Sequence, residues 1–68
     1  MSGPLVRLDE PLLTPSEAAA LLAVKPSTVY EWVRAGRLPH LRLGPRAIRF
    51  TRPMLEKWAS EQVFMEHV

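Results

Sequence analysis

Residues 13–39, which read LTPSEAAALLAVKPSTVYEWVRAGRLP, predict two short helices joined by a tight turn. The segment Thr14–Glu17 has the pattern of a capping box, in which the threonine hydroxyl accepts from the glutamate amide and the glutamate side chain reaches back. Proline is tolerated at the first helical position, which Pro15 would occupy. In the alanine-rich run that follows, Ala19 and Leu22 are expected to face the core, and the small alanines let a second helix approach closely.

A second helix is predicted from Pro26 to Ala35, after a turn at residues 23–25, and Gly36 is expected to end it in a left-handed conformation. At about 100° per residue, one face of this helix is apolar and consists of Val29, Trp32 and Val33. The opposite face is polar and consists of Ser27, Glu31 and Arg34, with Thr28 and Tyr30 at its borders. We therefore expect the apolar stripe to pack on the first helix and the polar face to look outward.

A β-hairpin is predicted after Pro39, where the apolar period changes from 3.6 residues to 2. Residues 40–43 and 47–50 alternate polar and apolar side chains, and the segment 44–46 separates them. The side chains expected to face inward are Leu41, Leu43, Ile48 and Phe50. Those expected to face outward are His40, Arg42 and Arg49, with Arg46 at the tip.

A last helix is predicted from a cap at Thr51 to about Gln62. Its buried face is expected to comprise Leu55, Trp58 and Ala59. These elements form one domain over residues 11–62, between a flexible N-terminal tail (residues 1–10) and a C-terminal tail (residues 63–68). A chain of this length buries only about 60% of its unfolded surface, so one modest core is expected. The predicted fold class is mostly α with a small β-hairpin.

Charge is distributed unevenly along the chain. Residues 25–52 carry seven cationic side chains against one carboxylate, a net of +6, whereas residues 1–24 and 53–68 each carry a net of −2. A basic centre between acidic flanks favours a polyanionic partner, although a solvated charged face is the simpler alternative. The chain has no cysteine, no apolar run of membrane-spanning length and no signal-peptide pattern, so a cytoplasmic protein is expected.

An outward polar face on a firmly packed helix suits the major groove of DNA, where each base pair shows a distinct pattern of donors and acceptors. Polar side chains at the start of the helix can donate to phosphates, aided by the helix dipole. Glu31 can accept from a cytosine amino group, and Arg34 can reach guanine or a phosphate. The candidate contacts from this helix are Lys25, Ser27, Thr28, Tyr30, Glu31 and Arg34. The alternative is an αα-hairpin that only packs.

Three arginines on the predicted hairpin, Arg42, Arg46 and Arg49, form a second candidate contact. Such a wing lies along the DNA backbone or enters the minor groove, where narrow A·T tracts attract arginine. Phosphate contacts of this kind supply affinity and register, whereas base contacts supply sequence choice. Each arginine taken singly is better explained as a solubilising surface charge.

Catalytic and cofactor-binding functions find little support. The two histidines, His40 and His67, lie far apart with no clustered carboxylates, so no metal site is predicted. Neither a nucleophile motif nor a glycine-rich phosphate loop is present. We expect Trp32 and Trp58 in the core rather than as base-stacking platforms. The chain is therefore expected to be a non-enzyme without cofactor, metal or small-molecule ligand.

One set of residues follows a known pattern: Leu13-Thr14, Glu17-Ala18-Ala19, Leu22, Val24, Thr28-Val29-Tyr30, Gly36, Leu38-Pro39, Gly44, Arg49-Phe50 and Leu55. Over about residues 12–62 the chain resembles the excisionase-type DNA-binding domains. These are small winged helix-turn-helix proteins related to the DNA-binding part of the mercury-resistance-regulator (MerR) superfamily. Pro53-Met54 departs from the Ser-Asp pair of many relatives, and Pro26 and Glu31 replace residues that are frequently basic or polar.

The resemblance implies a bacterial, phage or mobile-element protein that acts at the nucleoid and binds double-stranded DNA, often cooperatively and with bending. It implies that the second helix enters the major groove and that the hairpin contacts the flanking backbone. A single module buries only about 600–1,000 Å² on DNA. The chain also lacks the long dimerisation helix of full-length superfamily regulators. Several copies are therefore expected to bind side by side.

Three functions follow as hypotheses. The first is an excisionase, or recombination directionality factor, that assists a site-specific recombinase. The second is a small transcriptional regulator with the same DNA-binding face. The third, of another class, is a protein-interaction module that uses Phe64, Met65 and the last helix.

Overall fold

The computed structural model describes residues 10–63, so the predicted tails lie almost wholly outside the described residues. Its elements are helix α1 (Pro15–Leu22), helix α2 (Pro26–Arg34), strand β1 (Leu41–Gly44), strand β2 (Ala47–Arg49) and helix α3 (Arg52–Ser60). The helices have eight or nine residues each, and none within residues 10–63 is long enough to cross a membrane. The predicted order of two helices, a hairpin and a last helix is confirmed.

Helix α1 begins with the predicted capping box. The Glu17 amide donates to Thr14 Oγ1 at 3.2 Å, and the Thr14 amide donates to Glu17 Oε1 at 2.8 Å. The helix ends at Ala23, which adopts the left-handed conformation with φ of 59°. The Val24 amide then donates to Ala19 O at 2.9 Å, the bond of a Schellman motif. After this motif the chain turns over residues 23–25, and α2 begins at Pro26.

Helix α2 ends in the same way. Gly36 has φ of 71°, as expected from the sequence, and the Arg37 amide donates to Trp32 O at 2.8 Å. The helix stops at Arg34, one residue before the predicted end. Both α1 and α2 therefore end at a residue in the left-handed conformation.

The core lies where α1, α2 and α3 meet the base of the hairpin. Its buried members are Ala18, Ala19, Val29, Val33, Leu38, Phe50 and Leu55. The predicted inward stripe of α2 is confirmed at Val29 and Val33, while Trp32 is half-buried at the rim of the core. Because alanines stand at the contact, the backbones of α1 and α2 can approach closely, and α2 is held firmly from behind.

The prediction that Arg42 and Arg49 share the outward face of the hairpin is wrong. Arg42 pairs with Ile48 and Leu41 pairs with Arg49 in the antiparallel ribbon. Side chains of directly paired residues lie on the same face, so Arg42 and Arg49 lie on opposite faces instead of one. Ile48 packs against the core, as expected, whereas Leu41 is half-buried on the other face.

Leu43 is a second correction. It was expected to face inward, but 61% of its surface is exposed. The register shifts between Arg42 and Gly44, so that the next pair is Gly44 with Ala47. Because Leu41 pairs with Arg49 on the face opposite Ile48, alternation along β1 directs Leu43 outward as well.

A short bridge joins the start of the domain to the end of the hairpin. The Leu13 amide donates to Phe50 O at 2.7 Å, and the Phe50 amide donates to Leu13 O at 2.9 Å. Thr51 then caps α3, as predicted, by accepting from the Met54 amide at 3.2 Å. The helix ends at Ser60, two residues before the predicted Gln62, and buries Leu55 completely.

Candidate nucleic-acid interface

The outer face of α2 is polar and accessible, as the sequence predicted. Its exposed side chains are Ser27, Tyr30, Glu31 and Arg34, with Lys25 exposed just before the helix and Thr28 half-buried at the border. Tyr30 keeps 46% of its surface exposed. Because Val29 and Val33 are buried on the opposite side, the packing of the core sets the orientation of this polar face.

The start of α2 differs from the starts of the two other described helices. Thr14 and Thr51 each cap their helix through a side-chain oxygen. Lys25, at the corresponding position before α2, makes no capping hydrogen bond through its side chain. The first turn of a helix has backbone amides without partners inside the helix, and these amides attract anions. In the first turn of α2, Pro26 has no amide hydrogen and the Thr28 amide donates to Lys25 O at 2.9 Å, so the Ser27 amide is the one left without a partner among the described residues.

The three predicted hairpin arginines have different surroundings. Arg42 and Arg46 are exposed, Arg46 in the turn between the strands. Arg49 is half-buried, and its guanidinium donates to Ile48 O at 2.8 Å. Arg42 and Arg46 are therefore both accessible, whereas Arg49 lies on the face of the ribbon opposite Arg42.

Arg37 is a cationic side chain that the sequence analysis did not single out. It follows Gly36 directly, and its guanidinium carbon lies 5.9 Å from the centre of the Trp32 ring. Trp58 Nε1 donates to Arg37 O at 2.7 Å, and the two tryptophan rings lie 5.4 Å apart at 44°. These contacts hold the exposed Arg37 next to the end of α2. A basic residue directly after a predicted helix end is the signal that would have found it.

Both tryptophans are half-buried rather than fully enclosed. They pack against the core, as expected, and they also connect α2 with α3 through the ring contact. His40 is half-buried at the base of the hairpin, with Nδ1 lying 3.0 Å from Leu38 O. That contact orients the imidazole toward the backbone of its own segment.

The cationic segment has no internal counter-ions in the described structure. Within residues 10–63, the ion pair is Lys57–Glu61, at 3.0 Å on α3. None of the seven cationic residues of segment 25–52 pairs with a carboxylate in that range. Carboxylates of residues 10–63 therefore neutralise none of these seven charges by direct pairing.

A comparison with protein families identifies one match. A family model described as a helix-turn-helix domain matches residues 12–63, which include all three helices and the hairpin. A search of curated proteins gives no match. Membership of such a family indicates binding to DNA. Together with the three helices and the antiparallel hairpin, this match shows that the chain belongs to the excisionase-like helix-turn-helix domain family and has the winged form of that fold.

Proposed function

We propose that this protein binds double-stranded DNA with α2 in the major groove and with the hairpin as a wing on the flanking backbone and minor groove. The observation that carries the proposal is the exposed polar face of α2 beside a cationic segment that has no counter-ion within residues 10–63. A helix fits the width of the major groove, and unpaired arginines attract the phosphates on either side.

The start of α2 positions the protein on the backbone. Lys25 supplies a charge, and Ser27 supplies both a hydroxyl donor and the free backbone amide of the first turn. A phosphate at this point meets both the helix dipole and several donors. Thr28, at the border of the buried face, is a further donor to the same strand.

The middle of the outer face reads the bases. Glu31 and Arg34 are exposed and lie nearly one helical turn apart. A carboxylate accepts from the amino group of cytosine, and a guanidinium donates in pairs to guanine. Tyr30 donates its hydroxyl to a phosphate at the edge of the groove. Glu31 and Arg34 select sequence, whereas Tyr30 and the side chains at the helix start supply affinity.

The wing extends the contact along the backbone. Arg42 and Arg46 are the exposed members of the predicted set, Arg42 in β1 and Arg46 in the turn between the strands. Arg49 contributes less, because it is half-buried and donates to the backbone carbonyl of Ile48. Arg37, next to the end of α2, adds a charge between the helix and the wing.

In the cell, we infer an accessory role in site-specific recombination. In this role the protein organises DNA for a recombinase, with several copies bound side by side and the DNA bent between them. Transcriptional regulation uses the same DNA-binding face and is the competing outcome. The interaction module based on Phe64 and Met65 concerns residues outside the described range.

Salt dependence tests DNA binding. We expect log K to fall with log salt, with a slope of about −0.9 per phosphate contacted. Arg46→Gln should weaken binding to every duplex and make the slope less negative by about 0.9. Lys57→Gln is the matched control, because it removes a charge from α3 that is already paired with Glu61. Fluorescence anisotropy with a labelled duplex measures both.

Sequence preference is tested separately by selection of bound fragments from random DNA. Glu31→Gln should change the selected bases with little change in the salt slope, since it alters a base contact and no cation. The proposal fails if the unaltered protein binds no duplex at low salt, or if Arg46→Gln and Lys57→Gln have equal effects.

The recombination role needs its own assay. The purified protein is added to a recombinase encoded in the same mobile element and to a plasmid that carries the recombination junctions. Excised product that depends on the protein supports the accessory role. DNA binding without any effect on excision, combined with altered transcription from a promoter at the selected site, favours the regulator instead.

A further inference from the structure

The end of the hairpin carries an exposed apolar side chain in a cationic setting. Leu43 has 61% of its surface exposed, the second largest exposure among the large apolar residues described. It stands at the register shift between Arg42 and Gly44, and alternation along β1 places it on the face of Leu41, opposite the core-facing Ile48.

The neighbours of Leu43 define the kind of surface it belongs to. Pro45 follows in the turn and is exposed, so two apolar side chains lie close together in the chain at the end of the hairpin. Arg42 and Arg46, both exposed, flank these two residues on either side. We call Leu43 and Pro45 together the apolar tip.

We propose that the apolar tip enters the minor groove of DNA, where Leu43 packs between base steps or against the sugars while Arg42 and Arg46 hold the phosphates on either side. This inference rests on the proposed function and extends it from ionic contact to apolar insertion. Leucine and proline are among the side chains that minor-groove proteins insert as wedges, and such wedges unstack a step and bend the duplex.

Charge favours DNA over a second copy of the chain as the occupant. If the tips of two copies met, four arginines would be brought together without a carboxylate, because the hairpin residues 40–50 contain none. Like charges repel at such a contact. The minor groove presents apolar sugar walls between two rows of phosphates, which matches an apolar tip between two arginines.

The test compares substitutions at Leu43 on a short mixed-sequence duplex that carries a donor and an acceptor fluorophore at its ends. Leu43→Ser and Leu43→Thr remove the apolar contact, and threonine keeps the strand propensity should serine disturb the ribbon. Leu43→Met is the control, since methionine preserves an apolar side chain of similar volume. Circular dichroism and the thermal midpoint verify that each variant folds as the unaltered protein does.

We expect Leu43→Ser and Leu43→Thr to weaken binding about 10-fold, the effect of losing the burial of one leucine side chain, and to reduce the energy transfer that reports bending. The salt slope should stay unchanged, because no cation is lost, whereas Arg42→Gln should change it by about 0.9. Leu43→Met should bind and bend DNA as the unaltered protein does.

Two results would overturn the inference while leaving DNA binding intact. One is unchanged affinity and bending by the serine and threonine variants. The other is a loss confined to the cooperative binding of a second copy, which would place Leu43 at a contact between proteins. Failure of the unaltered protein to bind any duplex would instead overturn the proposed function, and the inference with it.

Discussion

Ala23 and Gly36 occupy the same backbone conformation at the ends of the two helices. Their φ angles are 59° and 71°, both in the left-handed region. An L-residue in that region brings its Cβ close to the following carbonyl oxygen, which costs about 1–2 kcal/mol, and glycine has no Cβ. The motif at the end of α2 is therefore unstrained at Gly36, whereas the motif at the end of α1 is strained at Ala23.

This difference gives a prediction at the two positions. Ala23→Gly should raise the free energy of unfolding by about 1 kcal/mol, and Gly36→Ala should lower it by about 1 kcal/mol. A Cβ at Gly36 would meet no atom within 4 Å, so the loss there comes from the backbone alone. Thermal denaturation measures both, with a midpoint shift of about 4–8 °C per kcal/mol for a domain of this size.

Ala20→Gly is the matched control for the first substitution. Ala20 is exposed within α1, where glycine lowers stability by about 1 kcal/mol relative to alanine. The same chemical change should therefore have opposite signs at Ala20 and Ala23. Destabilisation by Ala23→Gly would contradict the assigned left-handed conformation.

At the scale of the elements, α2 lacks the side-chain cap that α1 and α3 possess. We predict that Lys25→Ser stabilises the fold by about 1 kcal/mol relative to Lys25→Gln, because serine caps a helix and glutamine does not. Both variants lose the same charge, so both should bind DNA more weakly than the unaltered protein. Chemical denaturation and anisotropy titrations measure the two effects.

The comparison between these variants isolates the cap from the charge. Serine and glutamine are both uncharged, and Lys25 is exposed, so neither change creates a cavity in the core. Equal stability of the two variants would show that another group already satisfies the first turn of α2. Unchanged DNA affinity in both would remove Lys25 from the interface.

The hairpin shows why alternation alone does not define the faces of a strand. Leu41 and Leu43 have the spacing of a buried pair, yet the pairing of Arg42 with Ile48 places both leucines on the face opposite the core. The shift next to Gly44 is a property of strand pairing and turn geometry. The sequence therefore predicted the hairpin but not the exposure of Leu43 or the separation of Arg42 from Arg49.

At the scale of the whole molecule, Phe50 joins three parts of the fold. Its side chain is fully buried, its backbone pairs with Leu13, and Thr51 follows it directly as the cap of α3. We predict that Phe50→Ala lowers the free energy of unfolding by about 3–5 kcal/mol. A core of this size supplies little more than that, so the variant should be largely unfolded at room temperature.

Circular dichroism and the dispersion of amide signals in NMR measure this outcome. Ile48→Val is the control, because Ile48 is half-buried two residues earlier on the same face and should lose only about 0.5–1.5 kcal/mol. A folded Phe50→Ala protein with a midpoint shift of a few degrees would show that the hairpin contributes little to the core.

Local patterns were sufficient for the elements of this protein. Each of these features depends on residues within one or two helical turns of one another, so the linear order of side chains determines it. They are the cap at Thr14, the left-handed end at Gly36, the stripe of Val29 and Val33, and the cap at Thr51.

Contacts between segments that lie apart in the sequence determined how these elements are arranged. Two such contacts are the bridge from Leu13 to Phe50 and the bond from Trp58 to Arg37. The pairing register of the hairpin, which separates Arg42 from Arg49, likewise cannot be predicted from the alternation of side chains alone. Their geometry depends on how the helices and the ribbon pack together, and that packing determines which cations share a face.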